Sequence, residues 1–178
     1  TRSQMEIFAK KNNLIIESAT LTKLKGNNIF SPGVIKRIFE TDDKSINLIT
    51  DNMLKDNFIE ELGIELEDIT NKEKIKLKMI AKKKLKAPNG YIHGGAITSL
   101  ADTACGIATF LNIDTNQNFT TIELKTNFIS AAKINDELIC EAILIHKGRT
   151  TQVWDSTVSN ANSNKKVAIM RCTQFIFE

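Results

Sequence analysis

The most informative part of this sequence is a loop leading into a helix, which reads Asn89-Gly90-Tyr91-Ile92-His93-Gly94-Gly95-Ala96-Ile97-Thr98-Ser99-Leu100-Ala101-Asp102-Thr103-Ala104. Two consecutive glycines follow the histidine, and glycine lets a backbone approach a ligand closely because it has no Cβ. The first N–H groups of a helix lack internal acceptors and lie at the positive end of its dipole. This segment can therefore hold a polarised carbonyl oxygen or an oxyanion.

Asp102 is an acid in a helix that is otherwise small and apolar. Burying an unpaired carboxylate costs several kcal/mol or raises its pKa, so such a residue indicates a function or a partner. Two interpretations stay open from spacing alone. In the first, Asp102 is a catalytic acid. In the second, Asp102 pairs with a buried donor across a subunit interface, and His93 caps the loop. Small residues on the same helical face leave room for a ligand or a second subunit: Thr98, Cys105, Gly106 and Thr109.

Strands flank this helix on both sides in the sequence. Residues 64–69 and 75–79 alternate apolar and charged side chains, which predicts a hairpin. After the helix, placed over residues 95–110, alternation predicts four more strands, at 121–128, 138–145, 151–159 and 167–177. This order predicts an α+β fold in which a curved, mostly antiparallel sheet wraps around the apolar helix.

The first part of the chain, 1–52, reads differently and is predicted to be a mostly helical N-terminal extension of unknown role. Ser31-Pro32 is typical of a helix start, and no pattern in this segment indicates chemistry. The main domain, 53–178, opens with a predicted helix whose inward-facing residues are Leu54, Phe58, Ile59 and Leu62.

Composition excludes several classes of protein. Apolar residues make up 42% of the chain and charged residues 25%, close to globular averages, which argues against disordered and collagen-like chains. No apolar run approaches the roughly 20 residues of a membrane span, and the first residues lack a signal-peptide core, so we expect a cytoplasmic protein. Three widely spaced cysteines and two histidines argue against a metal site and predict buried free thiols.

The run from Asn89 to Ala104 resembles the signature of hotdog-fold thioesterases of the phenylacetate-degradation type, in the 4-hydroxybenzoyl-CoA thioesterase superfamily. The resemblance continues through the strand at 121–128, the turn at 132–138 and the basic turn at 147–151. It covers about 53–178 and implies a hotdog fold. It also implies hydrolysis of an acyl-CoA, or of a thioester on another acyl carrier.

The resemblance also implies roles for individual residues. Asp102 matches the catalytic carboxylate, a general base or a nucleophile, and the Gly94 amide matches the donor to the thioester carbonyl. His93 matches the histidine that shapes the loop, and Thr121 matches a residue that orients the attacking water. The implied substrate-binding residues are Asn89, Gly95, Lys147, Arg149 and Thr151, the last three in the turn near the coenzyme A phosphates.

One position departs from the family pattern. Many members have an Asn or Gln six residues before the histidine, where this chain has Ala87. The nearest asparagine is Asn89, so either the loop is shifted by two residues or that role is absent.

The resemblance further implies a homo-oligomer, a two-fold dimer or a dimer of dimers, with the carboxylate of one subunit facing the glycine loop of the other. No cofactor is expected, because coenzyme A enters as part of the substrate. A basic cluster at 82–86 is either a solvated strand end or an attraction for those phosphates.

Two other functions are alternatives. An acyl-CoA-sensing transcriptional regulator would fuse a DNA-binding segment to a hotdog domain, but 1–52 lacks a recognition helix with clustered arginines, and Asp102 is present. The net charge of +3 is too small to argue by itself for nucleic acid as a partner, which is not expected. The second alternative is a non-catalytic subunit or a dehydratase of the same fold, but dehydratases of this fold use a differently placed histidine and acid.

Overall fold

The computed structural model describes residues 53–55, 57–114 and 116–178. The predicted N-terminal extension, 1–52, lies outside the described residues. Within them the elements are helix α1 (Phe58–Leu62), strands β1 (Ile64–Asn71) and β2 (Lys74–Ile80), helix α2 (Gly94–Phe110), and strands β3 (Asn118–Phe128), β4 (Glu137–Lys147), β5 (Thr151–Asn160) and β6 (Lys166–Phe177). A short 3-10 turn, Lys83–Leu85, precedes α2.

The strands form one antiparallel sheet in the order β1-β2-β4-β5-β6-β3, so β1 and β3 are its edges. Bulges interrupt the pairing of β3 with β6 between Thr121 and Glu123, and of β4 with β5 between Leu144 and His146. Because a bulge bends its strand and increases the local twist, these positions let the sheet curve around a helix.

Helix α2 is the centre of the core, and it contacts all strands from β2 to β6. Its alanines allow the helix to lie close to the concave face of the sheet. The helix residues predicted to face the core are all buried: Ile97, Leu100, Ala101, Ala104, Ile107, Ala108 and Leu111. The predicted α+β class and element order are therefore confirmed.

The prediction that Phe58 of the first helix faces inward is wrong, because this side chain is 65% exposed. Asn57 caps α1, with its Oδ1 accepting from the N–H groups of Ile59 and Glu60. The cap limits α1 to little more than one turn, which ends at Gly63 in the left-handed conformation. Leu62 fills the core from the end of this turn, whereas Phe58 at its start lies beyond the core.

The cysteines at 105, 140 and 172 are free and buried, as predicted. Burial raises the pKa of Cys140 to about 12, so this thiol stays protonated at physiological pH. Among the described residues, no helix is long and apolar enough to cross a bilayer.

Candidate active site

His93 fixes the loop that precedes α2. As the N-cap residue it accepts a hydrogen bond at Nδ1 from the Gly95 N–H, over 2.9 Å. An accepting Nδ1 carries no proton, so the ring is held in its Nε2–H form. Ile92 ties the loop to the domain by donating its N–H to the Ala132 carbonyl at 2.9 Å. The Gly95 N–H is thus used within the loop and is not free for a substrate.

The Gly94 N–H, by contrast, has no acceptor among the residues that the structure describes. It lies in the first turn of α2, at the positive end of the helix dipole. The Phe128 ring packs over this position, since a Cβ on Gly94 would lie 2.8 Å from Phe128 Cζ. A glycine fits beneath the ring, and its amide can donate to a carbonyl oxygen.

Asp102 lies partly buried on α2 and contacts strand β3. Its Oδ1 accepts a hydrogen bond from the Thr121 hydroxyl at 3.0 Å. Burial raises the pKa of Asp102, and the hydrogen bond from Thr121 opposes this with a smaller effect. A carboxylate with a raised pKa accepts protons more readily than an ordinary aspartate. The structure therefore brings together two of the predicted site residues, Asp102 and Thr121.

Gly94 and Asp102 stand on the same helix but at different heights. Eight positions separate them, since 102 − 94 = 8, which corresponds to about 12 Å along the helix axis. A base and an oxyanion donor must each lie within about 3 Å of the reacting group that they serve. Within one chain, therefore, these two groups cannot act on the same thioester carbonyl.

The predicted phosphate-binding turn lies at the other end of α2 from the glycine loop. Lys147 Nζ donates to Asn112 Oδ1, just beyond the end of the helix, over 3.3 Å. The Gly148 N–H donates to the Thr151 carbonyl at 2.8 Å and closes the turn, which leaves Arg149 exposed at its tip. A single chain does not bring this turn and the glycine loop to one place.

Asn89 has a structural contact in the loop. Its Oδ1 accepts from the Tyr91 N–H at 3.2 Å, and its side chain is exposed. Ala87 belongs to the same turn, because its N–H donates to the Tyr91 carbonyl and its carbonyl accepts from the Gly90 N–H. Gly90 has a φ of 91°, which favours glycine. Neither Ala87 nor Asn89 contacts Asp102 in the hydrogen-bond network of the described residues.

A cavity of about 390 Å³, not predicted from the sequence, opens beside the start of α2. Phe58 lines it, a residue expected in the core. The basic cluster 82–86 borders it, and within this cluster Lys84 forms an ion pair with Glu61 at 3.0 Å. The remaining lining residues come from α1, the 3-10 turn and the start of α2: Leu62, Leu85, Lys86, His93, Gly95, Ala96 and Ser99.

Edge strand β3 has an apolar surface next to Asp102. Ile122, Leu124 and Phe128 are exposed, and so is Ile129 just after the strand. Exposed apolar edge strands pair readily with another chain unless they are protected. A second chain on this edge would lie beside Asp102, because Thr121 of the same strand contacts that carboxylate.

The described residues contain no group of three or more His, Cys, Asp or Glu side chains that could hold a metal ion.

Comparisons with known proteins agree with this geometry. Residues 89–167 match the family model of the thioesterase superfamily. The chain is 31% identical over 114 residues to 1,4-dihydroxy-2-naphthoyl-CoA hydrolase of Listeria monocytogenes, a match that spans 64% of this chain and 90% of the relative. The matched residues, 89–167, contain every residue of the predicted site.

Solved structures share the fold. A mutant of thioesterase PA1618 from Pseudomonas aeruginosa superposes with a TM-score of 0.68 at 28% identity, over 76% of this chain and 94% of that one. The protein smu.793 from Streptococcus mutans, bound to acetyl-CoA, superposes with a TM-score of 0.59 at 26% identity, over 64% and 88%. These matches confirm the predicted hotdog fold and the resemblance of this chain to thioesterases.

Proposed function

Because the chain belongs to the thioesterase superfamily and is an enzyme of the thioesterase class, we propose that it hydrolyses acyl-CoA thioesters with Asp102 as its catalytic carboxylate. The observation that carries this proposal is a partly buried carboxylate on an apolar helix, which accepts a hydrogen bond from Thr121. The name of the Listeria relative and the acetyl-CoA bound to the Streptococcus protein support coenzyme A as the carrier.

Two routes use this carboxylate. As a general base, Asp102 takes a proton from a water molecule whose oxygen bonds to the carbonyl carbon. The C–S bond then breaks, and the thiolate of coenzyme A leaves and is protonated. As a nucleophile, Asp102 attacks the carbonyl carbon and the C–S bond breaks, so the thiolate of coenzyme A leaves and is protonated; water then hydrolyses the acyl anhydride and frees the carboxylate. In both routes Thr121 orients the carboxylate. Coenzyme A is part of the substrate, and the polypeptide supplies both the carboxylate and the oxyanion donor.

The complete site in this proposal needs two subunits. The separation of about 12 Å along the helix keeps Gly94 and Asp102 of one chain from sharing a carbonyl. A two-fold dimer through the apolar β3 edges would bring the Gly94 amide of one subunit to the Asp102 carboxylate of the other. Two such dimers can associate further, so the assembly is a dimer or a dimer of dimers.

The basic residues give the substrate its orientation in this proposal. Arg149 and Lys147, with Thr151, bind the phosphates of coenzyme A, because guanidinium and ammonium groups pair with phosphate. The lysines at 82–86 add a second positive region next to the glycine loop and attract the same polyanion. Gly95 lies in the same loop, and because it has no Cβ it lets the thioester approach the backbone closely.

The acyl group fits the cavity beside the start of α2. Phe58, Leu62 and Ala96 give this cavity an apolar wall, and its volume of about 390 Å³ exceeds that of a short acyl chain. Asn89 lies in the neighbouring loop, where its side chain supports the turn that borders the site. We therefore expect this cavity to admit a bulky acyl group, an aromatic one included.

A turnover screen tests the proposal. The purified chain is incubated with short-chain, long-chain and aromatic acyl-CoAs, 1,4-dihydroxy-2-naphthoyl-CoA among them, and release of the coenzyme A thiol is followed with a disulfide reagent. We expect hydrolysis of at least one bulky acyl-CoA, and the Asp102→Asn variant provides the matched control.

Failure of every acyl-CoA and acyl-carrier thioester in this screen would contradict the proposal. If the full-length chain then bound DNA with a steep dependence on salt, the regulator function would replace it. Hydration of an enoyl-CoA without thiol release would point instead to dehydratase chemistry on the same fold.

A further inference from the structure

Gln174 is a buried amide directly behind the Asp102–Thr121 pair. It lies on β6 with 0% exposure, on the face that carries the apolar side chains of Met170, Cys172 and Ile176. Burying an amide without hydrogen bonds costs a few kcal/mol, so its partners matter. Its Nε2 donates to Thr121 Oγ1 at 2.9 Å and contacts Cys172 Sγ at 3.0 Å.

These contacts give the network a direction. The Gln174 amide has two N–H donors, and they serve the Thr121 oxygen and the Cys172 sulfur. The Thr121 hydroxyl has one proton. When its oxygen accepts from Gln174, that proton is available to Asp102 Oδ1 at 3.0 Å rather than to Gln174 Oε1 at 3.2 Å. Gln174 thus favours the orientation in which Thr121 donates to the carboxylate.

We propose that Gln174 is a positioning residue for thioester hydrolysis, which acts through the Thr121 hydroxyl to hold the Asp102 carboxylate in its reactive orientation. This inference rests on the proposed function, because it assigns Gln174 no contact with the substrate. A positioning role differs from a purely structural one, because it requires that loss of Gln174 and loss of the Thr121 hydroxyl have the same effect on the reaction.

The pH dependence of the reaction reports on this network. The hydrogen bond from Thr121 lowers the pKa of Asp102 against the larger effect of burial, so weakening that bond raises the pKa. Two charged residues of β3, Glu123 and Lys125, pair in register with Thr173 and Arg171 on the sheet face opposite Gln174.

The titratable groups on the side of the helix are thiols. Cys172 contacts Gln174, and Cys105 of α2 shares a hydrogen bond with Cys172, which together with burial raises the pKa of Cys105 well above its usual value. The Cys105 thiol therefore stays neutral across the range in which a carboxylate titrates. A shift of the acidic limb therefore reports on Asp102.

Gln152 supplies a matched control. It is the cross-strand partner of Gln174 on β5 and is also 0% exposed. Its Nε2 donates to the Asn112 carbonyl at 3.3 Å, and its Oε1 has no partner among the described residues. Gln152→Met removes a buried amide of the same size one strand away, without touching the Thr121 hydrogen bond.

The experiment compares Gln174→Met, Gln152→Met, Thr121→Val and the double variant Gln174→Met/Thr121→Val in the full-length oligomer. Methionine keeps the volume of glutamine but removes the amide, and valine keeps the shape of threonine but removes the hydroxyl. We expect Gln174→Met to lower kcat about tenfold with little change in KM. Its acidic limb in the pH–rate profile should move to higher pH, as in Thr121→Val, whereas Gln152→Met should leave both unchanged.

The double variant gives the sharpest readout. If Gln174 acts through Thr121, the double variant is no slower than Thr121→Val alone, because the two residues belong to one network. If the losses of kcat in the two single variants multiply in the double variant, or if the acidic limb of Gln174→Met does not shift, the inference is overturned and the function of Asp102 stays intact. Full turnover in Asp102→Asn would instead overturn the proposed function, and this inference with it. If Gln174→Met does not fold, an unshifted limb in Thr121→Val decides against the network.

Discussion

The two faces of helix α2 are built from the same small residues but have different surroundings. The face toward the sheet carries residues such as Leu100, Ala101 and Ala104, with at most 1% exposure. Another face carries Thr98 and Asp102, which remain partly accessible and lie against the edge strand β3. The Thr121 hydroxyl of that strand donates to Asp102, and the Thr126 hydroxyl contacts Thr98. One face holds the fold together, and the other carries the proposed catalytic carboxylate. Substitutions on the two faces should therefore change different measured quantities.

The largest expected effect on the accessible face is that of Asp102→Asn. We expect turnover of acyl-CoA to fall by about 10²–10⁴-fold, because asparagine neither accepts the proton nor attacks the carbonyl. Steady-state thiol release measures the loss, and thermal unfolding measures the fold.

Stability should not fall with activity in this variant. A carboxylate whose pKa is raised in the folded state contributes its full stability below its unfolded pKa and loses that contribution as pH rises through the folded pKa. At neutral pH the ionised Asp102 disfavours folding, so Asp102→Asn should unfold at the same temperature or higher. A variant that keeps wild-type turnover would remove Asp102 from the mechanism.

The second effect concerns the start of the same helix. Gly94→Pro removes the free N–H, and proline is well accepted at the first helical position after an extended residue such as His93. We expect kcat to fall by about 10²–10³-fold, as for the loss of an oxyanion donor. Gly94→Ala is the matched control, since it adds a Cβ against the Phe128 ring but keeps the N–H. Equal losses in both variants would show that crowding, not the amide, limits the rate.

Mixing these variants tests whether the site is shared. Asp102→Asn and Gly94→Pro subunits, unfolded and refolded together in equal amounts, should regain about a quarter of wild-type turnover. Half of the dimers would then be mixed, and each mixed dimer would have one intact site of its two. If every site lies within one chain, the mixture stays as inactive as its components.

Much of the fold was predictable because burial leaves a periodic trace in the sequence. Alternation predicted six strands, and the apolar side of the helix was correctly placed against the sheet. Phe58 was wrongly predicted to face inward. Periodicity indicates which side chains share a helical face, but it does not show that Asn57 caps the helix directly before Phe58 and so shortens it. Strand β3 likewise begins at Asn118, earlier than predicted, since Phe119 already pairs with Ile176.

The site was less predictable, because its contacts join distant parts of the chain. Asp102 was recognisable as a lone acid in an apolar helix, but the resemblance, not the spacing, pointed to Thr121. Gln174 was missed, although a signal existed. It is a polar residue in step with Cys172 and Ile176 on the inward side of an alternating strand. Its partner Thr121 is 53 residues away, so no local pattern indicates the hydrogen bond.

The buried face of α2 gives the fourth prediction, as the counterpart to Asp102→Asn. Leu100→Ala leaves a cavity at a fully buried position and should reduce the free energy of unfolding by about 2–5 kcal/mol. Below its unfolding temperature the variant should keep most of its kcat, because Leu100 faces the sheet and not the site. Denaturant unfolding and thiol release, measured on the same sample, provide the comparison. A loss of kcat as large as in Asp102→Asn, with the fold intact, would break the distinction between the two faces.

The smallest effect is expected from Arg149→Ala, on neither face of the helix. This side chain is exposed at the tip of the turn between β4 and β5, so its removal should leave stability unchanged. If Arg149 binds the phosphates of coenzyme A, KM for an acyl-CoA should rise about tenfold, whereas KM for the same acyl group on a short thiol without phosphates should not change. Raised salt should reduce the difference, because it screens an exposed ion pair. An equal rise for both substrates would remove the phosphate assignment, because the short thiol carries no phosphate for Arg149 to bind.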